Sequence, residues 1–226
     1  MKPPDLSRLH NLRMDNDAHR YDMEDRADRF SSYKTRHADG TAPRAVTAYQ
    51  LFQTPDAIAR RMVDLAHPAP GLKWLEPSAG LGRILTPILE TNPQAVTACE
   101  IDATLAGELF KTFDTVELAQ RDFLTVKPPY EGGGALTVQD LPGPPFYDRI
   151  VMNPPFHMRS DIKHTLHALN FLHTGGVLVG LCMATRHRAE ALEAMADHWE
   201  LLPGNTFAKE GTKVETYLFR ITKRMN

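Results

Sequence analysis

The residues with the clearest potential for chemistry are Asn153-Pro154-Pro155-Phe156, named the Asn-Pro-Pro-Phe segment below, which follow the strand-like run 146–152. Each proline fixes its own φ near about −65° and lacks an N–H donor, and the residue before a proline is held extended. We therefore expect a stiff segment at the end of a strand, which presents the Asn153 amide, backbone carbonyls and the Phe156 ring. A strand-ending turn with a core aromatic residue is the alternative explanation.

A segment of this kind suits the chemistry of the exocyclic amine of adenine. That nitrogen is a poor nucleophile because its lone pair is delocalised into the ring. The Asn153 side-chain oxygen and the Pro154 carbonyl could accept its two hydrogens, draw the nitrogen toward tetrahedral geometry and direct its lone pair at an electrophile. Phe156 would stack on the planar base. The candidate catalytic residues are therefore Asn153, Pro154, Pro155 and Phe156.

Acidic side chains stand at the ends of three earlier strand-like runs. They are Glu76, Glu100 and Asp122. Glu76 would attract an ammonium or sulfonium group, and Glu100 is placed to accept hydrogen bonds from ribose hydroxyls. Asp122 could accept from an adenine amine while Phe123 packs on the ring. Since the carboxyl ends of parallel strands share one edge of a sheet, three such acids before the Asn-Pro-Pro-Phe segment indicate a ligand site.

The turn after the first strand is glycine-rich and reads Glu76-Pro77-Ser78-Ala79-Gly80-Leu81-Gly82. Gly80 and Gly82 would let the backbone pass close to a ligand. The turn has neither a phosphate-binding GxGxxG pattern nor a P-loop lysine. A Rossmann oxidoreductase is therefore disfavoured.

The elements that must position these residues alternate between strands and helices, which indicates an α/β fold. Thr54 as N-cap with Pro55 at the first helical position predicts one helix start, and Asp102 predicts another as an N-cap. Pro87 predicts a kink or a late start in its helix. Further helices are expected from Ser160-Asp161 to Leu172 and over 188–198. Strands are expected over 72–75, 95–99, 116–119, 146–152, 177–183, 199–202 and 214–222, with a short hairpin over 135–138.

The composition excludes several classes of protein. The 226 residues carry a formal net charge of −2, which argues against tight non-specific binding to nucleic acid. The charged N-terminus predicts no signal peptide, and no run is apolar enough to span a bilayer. Cys99 and Cys182 lie in apolar runs, so we expect buried free thiols and a cytoplasmic protein. Neither a zinc motif nor any other metal site is expected, and we expect a monomer.

The chain divides by composition into an arm and a body. Residues 1–45 are polar with nearly balanced charge, which predicts a partly helical or disordered N-terminal arm. Its arginines leave substrate contact open as an alternative. Residues 46–226 form the predicted catalytic domain.

The ordered set of motifs resembles the class I S-adenosylmethionine-dependent amino-methyltransferases. It is closest to the N6-adenine DNA methyltransferases whose cofactor motifs precede the catalytic motif. The resemblance covers residues 48–222 and implies a Rossmann-like, seven-stranded, mostly parallel sheet of order 3-2-1-4-5-7-6, with strand 7 antiparallel and helices on both faces. The separate target-recognition domain of restriction-type relatives is not expected here. The motifs are Phe52-Gln53-Thr54-Pro55, Glu76 to Gly82, Glu100, Asp122-Phe123 and the Asn-Pro-Pro-Phe segment.

The resemblance also implies a set of cofactor contacts. The Phe52 motif and the glycine turn would hold the methionine part of S-adenosyl-L-methionine, with Glu76 near its ammonium group. Glu100 would bind the ribose. The implied cofactor-binding residues are Phe52, Thr54, Pro55, Glu76, Pro77, Ser78, Gly80, Gly82, Glu100, Ile101, Asp122, Phe123 and Asn153.

The predicted reaction is methyl transfer to the N6 amine of adenine in nucleic acid, with DNA favoured over RNA. Protein glutamine N5-methylation is the alternative, because the same motif serves that conjugated nitrogen. An inactive cofactor-binding partner subunit is a third reading. Loops at the same sheet edge should contact phosphates, unless their charges only keep the loops soluble. The candidate substrate-binding residues are Phe156, Arg159, Arg186, Arg188 and Lys213, with His187 and Lys209 beside them.

Overall fold

A computed structural model of the protein describes residues 52–129, 141–144, 146–210 and 213–224. The described residues fall within one unit, Ala48–Asn226. The predicted arm over 1–45 and the predicted hairpin over 135–138 lie outside the described residues, so both stay predictions.

The sheet has seven strands in the order β3-β2-β1-β4-β5-β7-β6. Strands β1 to β5 pair in parallel, and β7 runs antiparallel to both β5 and β6. The predicted fold class, strand order and antiparallel strand are therefore confirmed. The strands are β1 (Lys73–Glu76), β2 (Ala95–Glu100), β3 (Glu117–Gln120), β4 (Tyr147–Met152), β5 (Leu172–Met183), β6 (His198–Leu202) and β7 (Thr216–Thr222).

Helices cover both faces of this sheet. They are α1 (Asp56–Leu65), α2 (Leu85–Leu89), α3 (Ala103–Thr112), α4 (Ser160–Ala168) and α5 (Arg186–Leu192). One core contains residues of α1, α2 and α3 together with Trp74, and the other contains residues of α4 and α5 together with Leu75. Because successive strand side chains point to opposite faces, neighbouring residues of β1 supply the two cores. The alternation confirms helices on both faces.

Short 3₁₀ turns complete the connections between these elements. The turn over Phe123–Thr125 follows β3, and the turn over His157–Arg159 joins the Asn-Pro-Pro-Phe segment to α4. The others are Leu169–Phe171, Glu193–Met195 and Ala208–Glu210.

Two helix starts follow the sequence closely. The Asp102 carboxylate accepts hydrogen bonds from the Thr104 and Leu105 backbone N–H groups at 2.8 and 3.0 Å, which confirms its role as the N-cap of α3. Helix α2 begins only at Leu85 and contains Pro87 in its first turn, where the missing N–H has no helical partner to lose. The late start was one of the two predicted outcomes.

Two other predicted caps are wrong. The residue that precedes α1 is Pro55, with no side-chain cap, because the Thr54 hydroxyl is engaged by Asn153 instead. Ser160 is the first residue of α4 rather than its cap, and Arg159 precedes it in a left-handed conformation. Asp161 does not cap the helix either, since its carboxylate is paired with Arg188.

The chain after β5 also differs from its prediction. Helix α5 covers Arg186–Leu192 rather than 188–198, and β6 already begins at His198. The backbone N–H of Asp197 bonds to the Arg220 carbonyl at 2.9 Å, so pairing with β7 ends the helical region before that residue.

Both cysteines are free and buried. Burial raises the pKa of the Cys99 thiol to about 12, so this thiol stays protonated at neutral pH. Burial also raises the pKa of Cys182. In the described part of the chain, every helix is too short or too polar to cross a membrane.

Candidate active site

The candidate site lies at the carboxyl edge of the sheet, where β1, β2 and β4 end side by side. In the parallel register Glu76 pairs with Ala98, and Leu75 pairs with Ile150. Glu76 is the last residue of β1 and Glu100 the last of β2, while Asn153 directly follows β4. The strand order therefore brings these three predicted site residues to one edge.

Glu76 is a buried carboxyl group with an unsatisfied oxygen. The residue is 1% exposed, and its Oε2 atom has no hydrogen-bond partner among the described residues. Burial raises the pKa of Glu76 well above its ordinary value, and the charge of Glu100 raises it further. A buried carboxylate is stable only when paired, so this group is suited to receive a cation.

Glu100 holds the glycine turn against β2. Its Oε2 atom accepts a hydrogen bond from the Gly80 backbone N–H at 2.7 Å, and its Oε1 atom accepts from the Asp102 N–H at 2.9 Å. Each carboxylate oxygen has a second acceptor position, so the predicted bonds from two ribose hydroxyls remain feasible. Glu100 therefore has a structural role that the sequence did not indicate.

Both glycines of the turn have a backbone conformation that favours glycine. Gly80 and Gly82 have φ values of 55° and 74°, which a side chain would disfavour. A Cβ atom at Gly82 would lie 2.4 Å from the Phe113 ring and 2.9 Å from Leu109. Packing against Leu109 and Phe113 is therefore sufficient to explain the absence of a side chain at Gly82, and the predicted approach of a ligand stays a prediction. Ser78, in the same turn, has a buried hydroxyl without a partner among the described residues.

The Asn153 amide has a defined orientation. Its Nδ2 atom donates to the Phe52 carbonyl at 2.8 Å and to the Thr54 hydroxyl at 3.0 Å. The Phe52 carbonyl can only accept, so the amide nitrogen has to face it. The Oδ1 atom is then left buried and without a partner among the described residues. Asn153 thus presents an acceptor to the site.

Residues 52–56, named the Phe52 segment below, are held by hydrogen bonds from two separate side chains. Besides the two bonds from Asn153, Arg83 donates to the Gln53 side-chain oxygen at 3.0 Å and pairs with Asp56 at 2.9 Å. Thr54 is only 4% exposed. Arg83 follows the glycine turn directly, so it joins the Phe52 segment to the predicted cofactor loop. This role of Arg83 was not predicted from the sequence.

Phe156 does not offer a free ring face. It is 3% exposed, and its ring is stacked on Phe52 with centroids 5.2 Å apart and an interplanar angle of 28°. The predicted stacking of Phe156 on a base is therefore not available in this arrangement, because Phe52 occupies one face and the core surrounds the rest.

The residues predicted to surround an adenine are placed in three different ways. Ile101 is 66% exposed at the end of β2 and presents apolar surface. Asp122 is half-buried, and its Oδ1 atom accepts from the Leu124 N–H at 2.9 Å. Phe123 is 2% exposed and packs against His167 and Phe171, so its side chain belongs to the core and not to a ring-binding surface.

The basic candidates divide between surface and interior. Arg159, Arg186 and Lys213 are exposed, and Arg186 pairs with Glu190 at 2.6 Å. Arg188 is buried, with its Nε atom 3.1 Å from an Asp161 oxygen and its Nη2 atom 2.8 Å from the Phe156 carbonyl. The prediction that Arg188 contacts phosphate is wrong, because its guanidinium is already engaged inside the protein. No local sequence signal joins two residues 27 positions apart.

The turn after the Asn-Pro-Pro-Phe segment has an unusual backbone. Met158 and Arg159 have φ values of 48° and 59°, a conformation that non-glycine residues adopt only with support from their surroundings. Met158 is also 78% exposed.

Among the described residues, no group of three or more His, Cys, Asp or Glu side chains could hold a metal ion.

Comparisons of sequence find no relative, since no family model and no curated protein matches the chain. Comparison with solved structures does find similar proteins. TrmN from Thermus thermophilus is similar with a TM-score of 0.55 and 19% identity, over 74% of this chain and 48% of that one. The methyltransferase subunit of a type I restriction-modification system from Streptococcus thermophilus gives a TM-score of 0.58 and 17% identity, over 77% and 45%.

A third similar structure is matched over nearly all of its own chain. It is an RNA methyltransferase from Salinibacter ruber in complex with S-adenosyl-L-homocysteine, with a TM-score of 0.51 and 18% identity over 77% of this chain and 95% of that one. The first two matches span only about half of their own chains. Similarity at this level establishes the fold. Because one fold hosts many activities, the function has to be argued from the site.

Proposed function

We propose that this protein is an S-adenosylmethionine-dependent methyltransferase that acts on the N6 amine of adenine in nucleic acid, with DNA favoured over RNA. One observation carries the proposal: the Asn153 Oδ1 atom is buried and unpartnered, while the amide nitrogen is committed to Phe52 and Thr54. A buried acceptor at a strand end costs free energy unless a ligand donor reaches it. The N–H groups of the adenine N6 amine are such donors.

The residues present fit the proposed cofactor. The Glu76 Oε2 atom and the Ser78 hydroxyl are buried without partners among the described residues, and Glu76 suits a cationic group. Glu100 retains acceptor positions for ribose hydroxyls, and exposed Ile101 suits an adenine ring. When bound, the cofactor supplies an electrophilic methyl group. The other residues proposed to hold it are Phe52, Thr54, Pro55, Pro77, Gly80 and Asp122.

The protein's own contribution to the reaction is orientation. The Asn153 Oδ1 atom and the Pro154 carbonyl accept the two amine hydrogens and so direct the nitrogen lone pair. The prolines at 154 and 155 keep these acceptors in a stiff backbone. We expect positioning to be the main catalytic contribution. No strong base is needed, because the nitrogen becomes acidic as it gains the methyl group and then releases one proton to water.

Access of the base requires a movement at Phe52. Since Phe52 covers Phe156 in this structure, a base that stacks on Phe156 has to displace the Phe52 ring. In a duplex the target adenine also has to leave the stack, which costs a few kcal/mol that phosphate contacts must offset. Arg159, Arg186 and Lys213 remain the proposed contacts, and Arg188 is excluded from this set because it is buried.

Glutamine N5-methylation is the second candidate. A primary amide also presents two hydrogens on a conjugated nitrogen, so the unpartnered Asn153 oxygen would accept one of them equally well. An inactive partner subunit would not need an oriented Asn153 amide. A cytoplasmic location and a monomeric state remain predictions, and light scattering of the purified protein would test the second.

Labelled cofactor offered to panels of DNA, RNA and peptides tests the proposal. We expect label in DNA, recovered after nucleoside digestion as N6-methyladenine by mass analysis. Label only in peptide would favour the glutamine reaction. Binding of S-adenosylhomocysteine without label in any acceptor would favour the inactive subunit, and binding of NAD instead would contradict the cofactor assignment.

A further inference from the structure

A buried ion pair lies beside the Asn-Pro-Pro-Phe segment and has no place in the proposed reaction so far. The side chains of Asp161 and Arg188 are 0% and 10% exposed. The Arg188 Nε atom lies 3.1 and 3.3 Å from the two Asp161 oxygens. Burial of two charges is costly unless their geometry and further hydrogen bonds are good. The pair therefore needs an explanation beyond stability.

This ion pair joins the end of the catalytic segment to two other elements. The Arg188 Nη2 atom donates to the Phe156 carbonyl at 2.8 Å, and its Nη1 atom lies 3.4 Å from the Thr185 hydroxyl. The Asp161 Oδ2 atom accepts from the Met183 backbone N–H at 3.2 Å. The planar guanidinium directs its bonds at fixed angles, so Arg188 relates the Phe156 carbonyl to the end of β5 and the start of α4.

The segment that Arg188 holds is one whose position matters. The Asn153 oxygen and the Pro154 carbonyl have to stay within about 0.5 Å of the productive geometry to orient an amine. Both prolines are stiff, so the position of the Phe156 carbonyl is transmitted back to the Pro154 carbonyl.

We propose that Arg188, oriented by Asp161, is a positioning residue that fixes the Asn-Pro-Pro-Phe segment for methyl transfer. The inference rests on the proposed function. It assigns to Arg188 an effect on turnover, because the bond to the Phe156 carbonyl sets the acceptors for the amine. The cofactor contacts at β1 and β2 do not include Arg188 and should be unaffected.

Two variants separate positioning from stability. Arg188→Met removes the bond to the Phe156 carbonyl and leaves the Asp161 charge buried and unpaired, which destabilises the fold. The double variant Asp161→Asn with Arg188→Met also removes that charge, and its amide oxygen can still accept from the Met183 N–H. Arg220→Met is the matched control, since it breaks a partly buried ion pair with Asp197 at 2.7 Å near the start of β6.

The assay measures kcat and KM with labelled S-adenosylmethionine and a single-stranded oligodeoxynucleotide containing all four bases. Calorimetry with S-adenosylhomocysteine gives cofactor affinity, and circular dichroism shows that each variant is folded at the assay temperature. We expect kcat to fall about 10- to 100-fold in both the single and the double variant, with cofactor affinity within threefold of wild type. The double variant should melt at a higher temperature than the single one.

A double variant that regains at least half of the wild-type kcat would overturn the inference, because the pair would then be structural only. Equal losses of cofactor affinity and kcat would do the same. If Arg188→Met fails to fold, the double variant and Arg188→Lys, which keeps the charge but not the fork of donors, decide the matter. Absence of methyl transfer by both wild type and Arg220→Met, to this oligodeoxynucleotide and to an RNA of the same sequence, would instead refute the proposed function.

Discussion

Replacement of Asn153 by alanine tests the centre of the proposed site. The change removes the unpartnered Oδ1 acceptor and also the two bonds to Phe52 and Thr54. Loss of one oriented group that acts in the transition state typically reduces kcat by about 100- to 1000-fold, or ~2.7–4 kcal/mol. The two structural bonds contribute about 1 kcal/mol each to the position of the Phe52 segment.

Thr54→Val separates these two contributions. It removes the hydroxyl that receives one Asn153 N–H but leaves the Asn153 oxygen and the bond to the Phe52 carbonyl. The Thr54→Val variant should lose no more than about 1 kcal/mol, or roughly fivefold, in activity or cofactor affinity. Asn153→Ala should lose cofactor affinity by no more than a few fold and kcat by far more.

Single-turnover kinetics with labelled cofactor, combined with calorimetry, measures both quantities. An Asn153→Ala variant that keeps kcat within threefold of wild type would refute the assignment of the amide oxygen. Equal losses in Asn153→Ala and Thr54→Val would show that Asn153 acts only by holding the Phe52 segment.

Three further predictions follow from the structure. Burial raises the pKa of Glu76 above its ordinary value of 4.5, so between pH 4.5 and the raised pKa the carboxyl group of the free protein is mostly protonated, and binding of a cation should release that proton. Cofactor affinity should therefore increase with pH from 4.5 up to the raised pKa, level off above it, and lose this dependence in Glu76→Gln, measured by calorimetry in buffers of different ionisation enthalpy; a wild type without pH dependence in that range would contradict the cation assignment. Gly82→Ala should lower the free energy of unfolding in urea by at least about 2 kcal/mol through overpacking and its positive φ, whereas Gly107→Ala, with open space in α3, should be neutral or slightly stabilising. Arg186→Glu with Lys213→Glu should weaken nucleic-acid binding and reduce its salt dependence while S-adenosylhomocysteine affinity is unchanged; an unchanged salt slope would place the substrate surface elsewhere.

Features that depend on neighbouring residues could be predicted from the sequence. Asp102 caps α3 through N–H groups two and three residues ahead, and Pro87 delays α2 by its fixed φ and missing donor. The acids at the ends of β1 and β2 and the Asn153 position after β4 follow from where apolar runs stop. The strand order was implied by the resemblance of the ordered motifs and is confirmed.

Features that join distant parts of the chain could not be predicted in this way. Thr54 is a residue type that commonly caps helices, but its hydroxyl accepts a hydrogen bond from the Asn153 amide, 99 positions away. Phe156 and Phe123 are aromatic residues of the kind that stack on ligands. In the structure, Phe52 covers the Phe156 ring, and Phe123 is buried against α4. The sequence predicts Arg188 as a surface contact for phosphate, whereas in the folded protein Arg188 forms a buried ion pair with Asp161.

The physical reason lies in the range of the forces involved. Backbone dihedral preferences, caps and the periodicity of apolar residues act within a few positions, so the sequence alone determined the elements and the edge at which polar residues collect. Burial and partner choice depend on which elements the sheet order brings together. Only the tertiary structure therefore decided that the Asn153 Oδ1 atom is buried without a partner among the described residues, while the Arg188 guanidinium bonds to the Phe156 carbonyl.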